Sequence, residues 1–244
     1  MIHNRKIALR FRIVSFGFVL LGLLLSMKVF EGQLHLAQFM YYTIQSNFLG
    51  LVLFALLIFK TQRERRHFGD DGSASYYPRF EMVVVIDLLL TLIVYWVMLA
   101  PQSFSMDANT NLFTLSNLTV HLITPLLCLV DYVLFADSGH LKYRDVYAVL
   151  IYPLCYVLFS SAAGLLGYVY RISTADGLPV RFPYFFFDFD RIGMKSLGYI
   201  AALVGFFLVI SHIFYIIDHR FRKPVLIPRP HTLNSAFQKK SKKY

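Results

Sequence analysis

Charge is scarce in this chain: only 16% of its 244 residues are charged, while 57% are hydrophobic and the mean hydropathy is +0.56. That leaves too little polar surface to clothe a water-soluble globule, so the solvent of the chain is a bilayer. Cysteine is scarcer still. Cys128 and Cys155 both fall in apolar stretches, which excludes a disulfide framework and a zinc site and predicts two small buried hydrophobes. No internal repeat, low-complexity tract or second domain is visible, and the strand-type alternation of a membrane barrel is absent.

What is present is a set of long apolar runs. Windows of about 20 residues, enough to span a hydrocarbon core of ~30 Å, mark six stretches near 11–30, 39–60, 81–100, 113–135, 146–168 and 194–217. Each run is continuous, which predicts helices and an all-α, polytopic, six-transmembrane-helix bundle. Arg5, Lys6, Arg10 and Arg12 precede the first run in the manner of a signal peptide. No small-residue cleavage site follows, so a retained helix is expected.

The formal net charge of +10 raises the question of nucleic acid, and its distribution answers it. Basic residues gather at the N-terminus, in the second loop (Lys60, Arg63, Arg65, Arg66, Arg79), in the fourth (Lys142, Arg144) and in the tail (Arg220, Arg222, Lys223, Arg229, Lys239, Lys240, Lys242, Lys243). The first and third loops, 31–38 and 102–112, carry no lysine or arginine. This is the positive-inside pattern with both termini cytoplasmic, N-in/C-in. A membrane domain over 1–219 and a basic cytoplasmic tail over 220–244 are expected in the cell (plasma) membrane, with anionic lipid headgroups at the tail and no nucleic acid as partner.

Inside a membrane the informative residues are polar, because each is costly to bury without a partner or a cavity. On the second helix Thr43, Ser46 and Asn47 stand at i, i+3 and i+4; on the fourth, Thr114, Asn117, His121, Thr124 and Cys128 form one stripe that ends near Asp131. Both helices run from outside to inside. Thr43 lies about four residues below its outer end and His121 about eight, or roughly 6 and 12 Å, so the two are expected in one outer polar layer. Asp87, Asp131 and His212 are expected near the cytoplasmic ends as helix anchors or pairs, with Lys28 snorkelling to the interface. A bis-histidine haem at His121 and His212 is excluded, since the two miss each other by roughly 15 Å along the bundle. No metal or cofactor is expected.

Three further features frame a cavity. Pro125 and Pro153 lie within spans and should loosen their helices. Ser160, Gly164 and Gly167 leave room for a neighbouring helix. Phe182-Pro183-Tyr184-Phe185-Phe186-Phe187-Asp188-Phe189 in the fifth loop reads first as an interfacial aromatic belt and second as a lid over a lipid cavity. The cavity itself is expected in the outer leaflet between the second and fourth helices.

Tyr42-Thr43-Ile44-Gln45-Ser46-Asn47, with Asn117-Leu-Thr-Val-His121-Leu-Ile-Thr-Pro125 and then Asp131, resembles the bacterial six-span Pr6Pr family. That family is similar in turn to the animal androgen-induced transmembrane proteins, intramembrane hydrolases of fatty acid esters of hydroxy fatty acids. The resemblance implies a threonine nucleophile and a histidine base, which fall on Thr43 and His121. Such a pair is coherent chemistry, because a neutral imidazole is the side chain suited to deprotonating a hydroxyl near pH 7. Ser46, Asn47 and Asn117 are the candidate oxyanion and substrate-binding residues. Asp131 lies about 15 Å beyond His121 along the helix, so no acidic third member is expected. A non-catalytic lipid-binding or small-solute transport protein using the same polar layer is the alternative, with transport weakened by the lack of repeats.

Overall fold

The structure, a computed structural model, describes residues 1–106, 111–173 and 176–220. Beyond Arg220 the basic tail lies outside the described residues. Six helices are long and apolar enough to cross a membrane: α1 (Arg5–Ser26), α2 (Tyr42–Phe68), α3 (Pro78–Ser103), α4 (Leu115–Phe135), α5 (Tyr143–Leu165) and α6 (Lys195–Arg220). A two-stranded hairpin in the fifth loop, β1 (Arg171–Ile172) and β2 (Pro179–Val180), is the only sheet among the described residues.

Local chemistry sets the helix ends. The Asn4 side chain accepts from the Ile7 N–H at the start of α1, and Pro78 opens α3, where its missing N–H is harmless. Glu81, one turn into α3, accepts from the Tyr76 and Tyr77 N–H groups at 3.3 and 3.0 Å. Gly69 ends α2 with φ of 79°, a conformation that favours glycine.

The six helices pack unequally. α1 to α4 form a tight group in which α2 and α4 each pack on both α1 and α3, and Met82, Val84, Val85 and Leu88 of α3 have no exposed surface. In the most apolar window half of α3 is buried, against 28% for α5 and 11% for α6. The last two helices therefore present most of their surface to lipid. Cys155 belongs to that surface on α5, which corrects the expectation that both cysteines are buried; Cys128 on α4 is.

The N-terminus, the second loop and the inner end of α4 share one face. Ile2 N–H donates to the Leu134 carbonyl at 2.7 Å, and Arg5 Nε donates to the Ser73 carbonyl at 3.1 Å. Beneath them Arg12, one of the basic residues gathered at the N-terminus, is fully buried. Its Nε and Nη2 donate to the two carboxylate oxygens of Asp131 at 2.8 and 3.0 Å, and its Nη1 donates to Thr61 Oγ1 and the Ala74 carbonyl. A guanidinium can enter a span here because every face of it meets an acceptor.

Two more expectations change. Asp87 is nine residues into α3 and accepts from Tyr42 Oη at 3.0 Å, so it joins the outer layer and not the cytoplasmic one. His212, by contrast, pairs at the same end as expected: it meets Tyr143 Oη at the start of α5 and the Leu208 carbonyl. Gly164 makes its close approach to the fifth loop, not to a helix: a Cβ there would lie 2.6 Å from the Arg181 carbonyl oxygen. Gly167 ends α5 with φ of 92° and faces open space.

Candidate active site

Thr43 sits in the first turn of α2, and the outer loops build a collar around that turn. Tyr156 Oη donates to the Met40 carbonyl at 3.0 Å, Tyr152 Oη donates to Gln45 Oε1 at 3.2 Å, and Gln45 Nε2 donates to the Phe39 carbonyl at 2.6 Å. The Tyr42 ring packs on Tyr152 and Tyr156 with centroids 5.3 and 5.1 Å away, while its hydroxyl reaches Asp87. A side chain at a helix end is held here as firmly as one in mid-helix.

His121 is placed by a defect in α4. Residues Thr119–Ile123 widen into a π-helical turn, and Pro125 begins the regular helix beyond it. In an α-helix the carbonyl of residue 121 accepts from the N–H of residue 125, which proline lacks. The freed His121 carbonyl accepts instead from Trp96 Nε1 at 3.3 Å. Trp96 lies in a second π-helical turn, Tyr95–Leu99 on α3, so two widened turns face each other across the site. The Tyr95 ring stacks on the imidazole with centroids 3.6 Å apart and planes 18° from parallel. Sequence placed the loosening at Pro125 correctly, and its consequence is the seat of the histidine.

Thr43 Oγ1 and His121 Nε2 are 3.3 Å apart. On the other side of the ring Nδ1 lies 3.2 Å from the Asn117 carbonyl, which can only accept. Nδ1 therefore carries the proton, and Nε2 offers its lone pair to the threonine hydroxyl. The Asn117 carbonyl takes the orienting place that a carboxylate holds in a hydrolytic triad. Asp131 is not available for that place, since Arg12 occupies both of its oxygens.

The other expected site residues stand behind this pair. Asn47 Nδ2 donates to the Thr43 carbonyl at 2.8 Å and the Val120 carbonyl at 3.0 Å, tying α2 to α4. Asn117 Nδ2 donates to Tyr95 Oη and the Leu112 carbonyl, both at 2.6 Å. Ser46 Oγ is fully buried between the Thr43 carbonyl and Thr91 Oγ1. All three brace the site; none has a donor proton left for a bound ligand.

Two cavities meet at Thr43. The first encloses about 790 Å³ counting the solvent at its mouth, and is walled by apolar side chains including Leu90, Val94, Leu154, Val157, Leu203 and Phe207. It lies between α3, α5 and α6 under the fifth loop, away from α4, and so adds to the expected cavity lined by α2 and α4. The second, about 890 Å³ and open to the outside, is bordered by Gln38, Arg171 and His121. Thr43, Tyr95 and Tyr184 border both. The fifth-loop aromatics turn inward as a cover: Phe182, Phe186 and Phe187 are buried, and Tyr184 stacks on Phe186 with planes 2° apart. Tyr184, Phe186 and Phe187 line the apolar cavity.

Tyr42, Tyr95, Trp96, Asp87 and Tyr184 were not legible as site residues. The one available signal was Pro125, four residues after His121, which announces an orphaned carbonyl and hence a donor nearby. Among the described residues no group of histidine, cysteine and acidic side chains is arranged to hold a metal. Comparison with protein-family models, with curated proteins and with solved structures gives no match.

Proposed function

We propose that this chain is an intramembrane hydrolase of lipid-like, fatty acyl esters, with Thr43 as nucleophile and His121 as general base, acting without metal or cofactor. The observation that carries the reading is the 3.3 Å contact between Thr43 Oγ1 and an imidazole nitrogen whose ring is oriented by the Asn117 carbonyl. A threonine hydroxyl is inert until a base takes its proton, and this base is aligned to do so. Thr43 would attack the ester carbonyl carbon as its proton passes to Nε2, and the alcohol would leave with that proton. Water would then cleave the acyl-threonine with the same base.

Placement of the pair at the junction of two unlike cavities supports a lipid substrate. The apolar cavity suits an acyl chain, whose burial stabilises by about 0.8 kcal/mol per CH₂, and the open vestibule admits water and the polar end of the ester. The likeness of the Thr43 and His121 segments to the Pr6Pr family agrees with this reading, and we extend that membership to the chain as part of the proposal. We place the protein in the cell membrane, its cytoplasmic face drawn to anionic lipid headgroups.

A fluorophosphonate probe on membranes bearing wild type, Thr43→Ala and His121→Ala tests the proposal. Labelling that both substitutions remove supports the hydrolase. The apolar cavity by itself favours a second reading, a lipid-binding protein without chemistry; no labelling of any form, with lipid binding unchanged in both variants, selects it.

A further inference from the structure

An ester attacked by Thr43 develops negative charge on its carbonyl oxygen, and that oxygen needs a donor at about 2.7–3.1 Å. Asn47, Asn117 and Ser46 have committed their protons elsewhere. Two hydroxyls remain on the walls common to both cavities, those of Tyr95 and Tyr184. Tyr95 receives Asn117 and lies flat on the imidazole, a posture that supports the base. Tyr184 is in contact with the nucleophile itself.

The Tyr184 oxygen accepts from the Tyr42 N–H at 3.1 Å, one residue before Thr43, and Tyr184 and Thr43 line the same two cavities. Burial pushes its pKa up to about 12, so the phenol keeps its proton at neutral pH. In the resting site hydrogen bonding to Thr43, Tyr156 and the Tyr42 N–H lowers the phenol's pKa against the effect of burial; an oxyanion forming beside Thr43 is a strong acceptor for the proton the phenol keeps. The loop that carries Tyr184 is anchored by its buried phenylalanines and by the fit of the Arg181 carbonyl against Gly164, so the hydroxyl arrives in a fixed position.

We propose that Tyr184 is the oxyanion donor of the Thr43 centre, a catalytic residue delivered by the fifth outer loop; the inference rests on the hydrolase reading above. As the bond from Thr43 Oγ1 to the carbonyl carbon forms, the threonine proton passes to His121 Nε2. The carbonyl π pair moves onto oxygen, where the Tyr184 O–H holds it. On collapse the C=O bond is restored and the alcohol leaves with the imidazolium proton. Hydrolysis of the acyl-threonine repeats these transfers with water.

The test compares full-length wild type, Tyr184→Phe and Thr43→Ala in detergent micelles with three probes. A long-chain alkyl trifluoromethyl ketone forms a tetrahedral adduct with an oxyanion, an alkyl ether of equal length mimics only the ground state, and p-nitrophenyl dodecanoate reports turnover. Tyr184→Phe is expected to weaken the ketone and lower kcat by on the order of 10²-fold, leaving ether affinity and KM within about 3-fold. Ketone affinity equal to wild type, or equal loss of ketone and ether, overturns the oxyanion role, the latter because a merely structural loop would weaken both. Thr43→Ala that turns over ester and binds ketone like wild type overturns the hydrolase reading itself, a separate failure.

Discussion

Two polar clusters are buried in this bundle, and they are built to opposite ends. The inner one joins Arg12, Asp131, Thr61 and the Ala74 carbonyl, every donor of the guanidinium fork that points inward meeting an acceptor. It borders neither cavity. The outer one joins Thr43 and His121 at an ordinary hydrogen-bond distance, but on the seam between two cavities, with a lone pair aimed at a hydroxyl. A buried charge that is fully enclosed by partners contributes to specifying one packing. A hydroxyl and an imidazole beside open space are exposed to a ligand. The comparison teaches that polarity in a membrane span is informative only together with what lies next to it.

The contrast breaks most sharply under substitution at the outer pair. Thr43→Ala or His121→Ala is expected to reduce ester turnover by at least ~10³-fold, with thermal stability in detergent close to wild type; turnover within tenfold would merge the two clusters into one structural class. At the inner pair the pattern reverses. Arg12→Ala or Asp131→Ala leaves a charge without its partner and should destabilise by about 3–5 kcal/mol, read as a lower unfolding midpoint, while the double change Arg12→Met with Asp131→Leu should recover most of it. Recovery that fails would mean the ion pair does more than hold α1 to α4.

Smaller effects sharpen the supports of the outer site. Trp96→Phe strands the carbonyl that Pro125 has already freed, at about 1–3 kcal/mol; slower turnover with unchanged lipid binding is the expected readout. Gly164→Ala drives a Cβ against the Arg181 carbonyl and should cost about 1–3 kcal/mol by overpacking, displacing Tyr184 and leaving the inner cluster intact. The mildest is acid. Hydrogen bonds from Ser173 and Leu178, then Arg191, hold the Asp176 carboxyl down at about 2, and Arg181 lowers Asp190. A depressed carboxylate stabilises above its ordinary pKa of 3.8 and loses that contribution as pH falls toward 2. Asp188, raised by burial, opposes them. Protease nicking of the fifth loop should therefore increase between about pH 4 and pH 2.

Much of the site was legible before any coordinates. Helical spacing and the sidedness of charge put Thr43 and His121 in one layer, because depth in a bilayer is simply a count of residues from a helix end. The same count misplaced Asp87, since the Tyr42 side chain reaches down to it and a residue count ignores the length of side chains. It gave no sign that Arg12 is buried, because a basic residue near a span end looks the same whether its partner is water or an aspartate 119 positions away.

By itself the sequence determined six membrane-length helices and the two residues that face each other. These follow from hydropathy and periodicity, both local properties of the chain. Only the tertiary structure decided that Asn47, Asn117 and Ser46 direct their donor protons to partners within the bundle, that the apolar cavity lies against α5 and α6, and that Tyr184 comes to the Thr43 turn from a loop 141 residues away. Where a donor proton points depends on which acceptors packing brings near it, and no pattern along one chain encodes that directly.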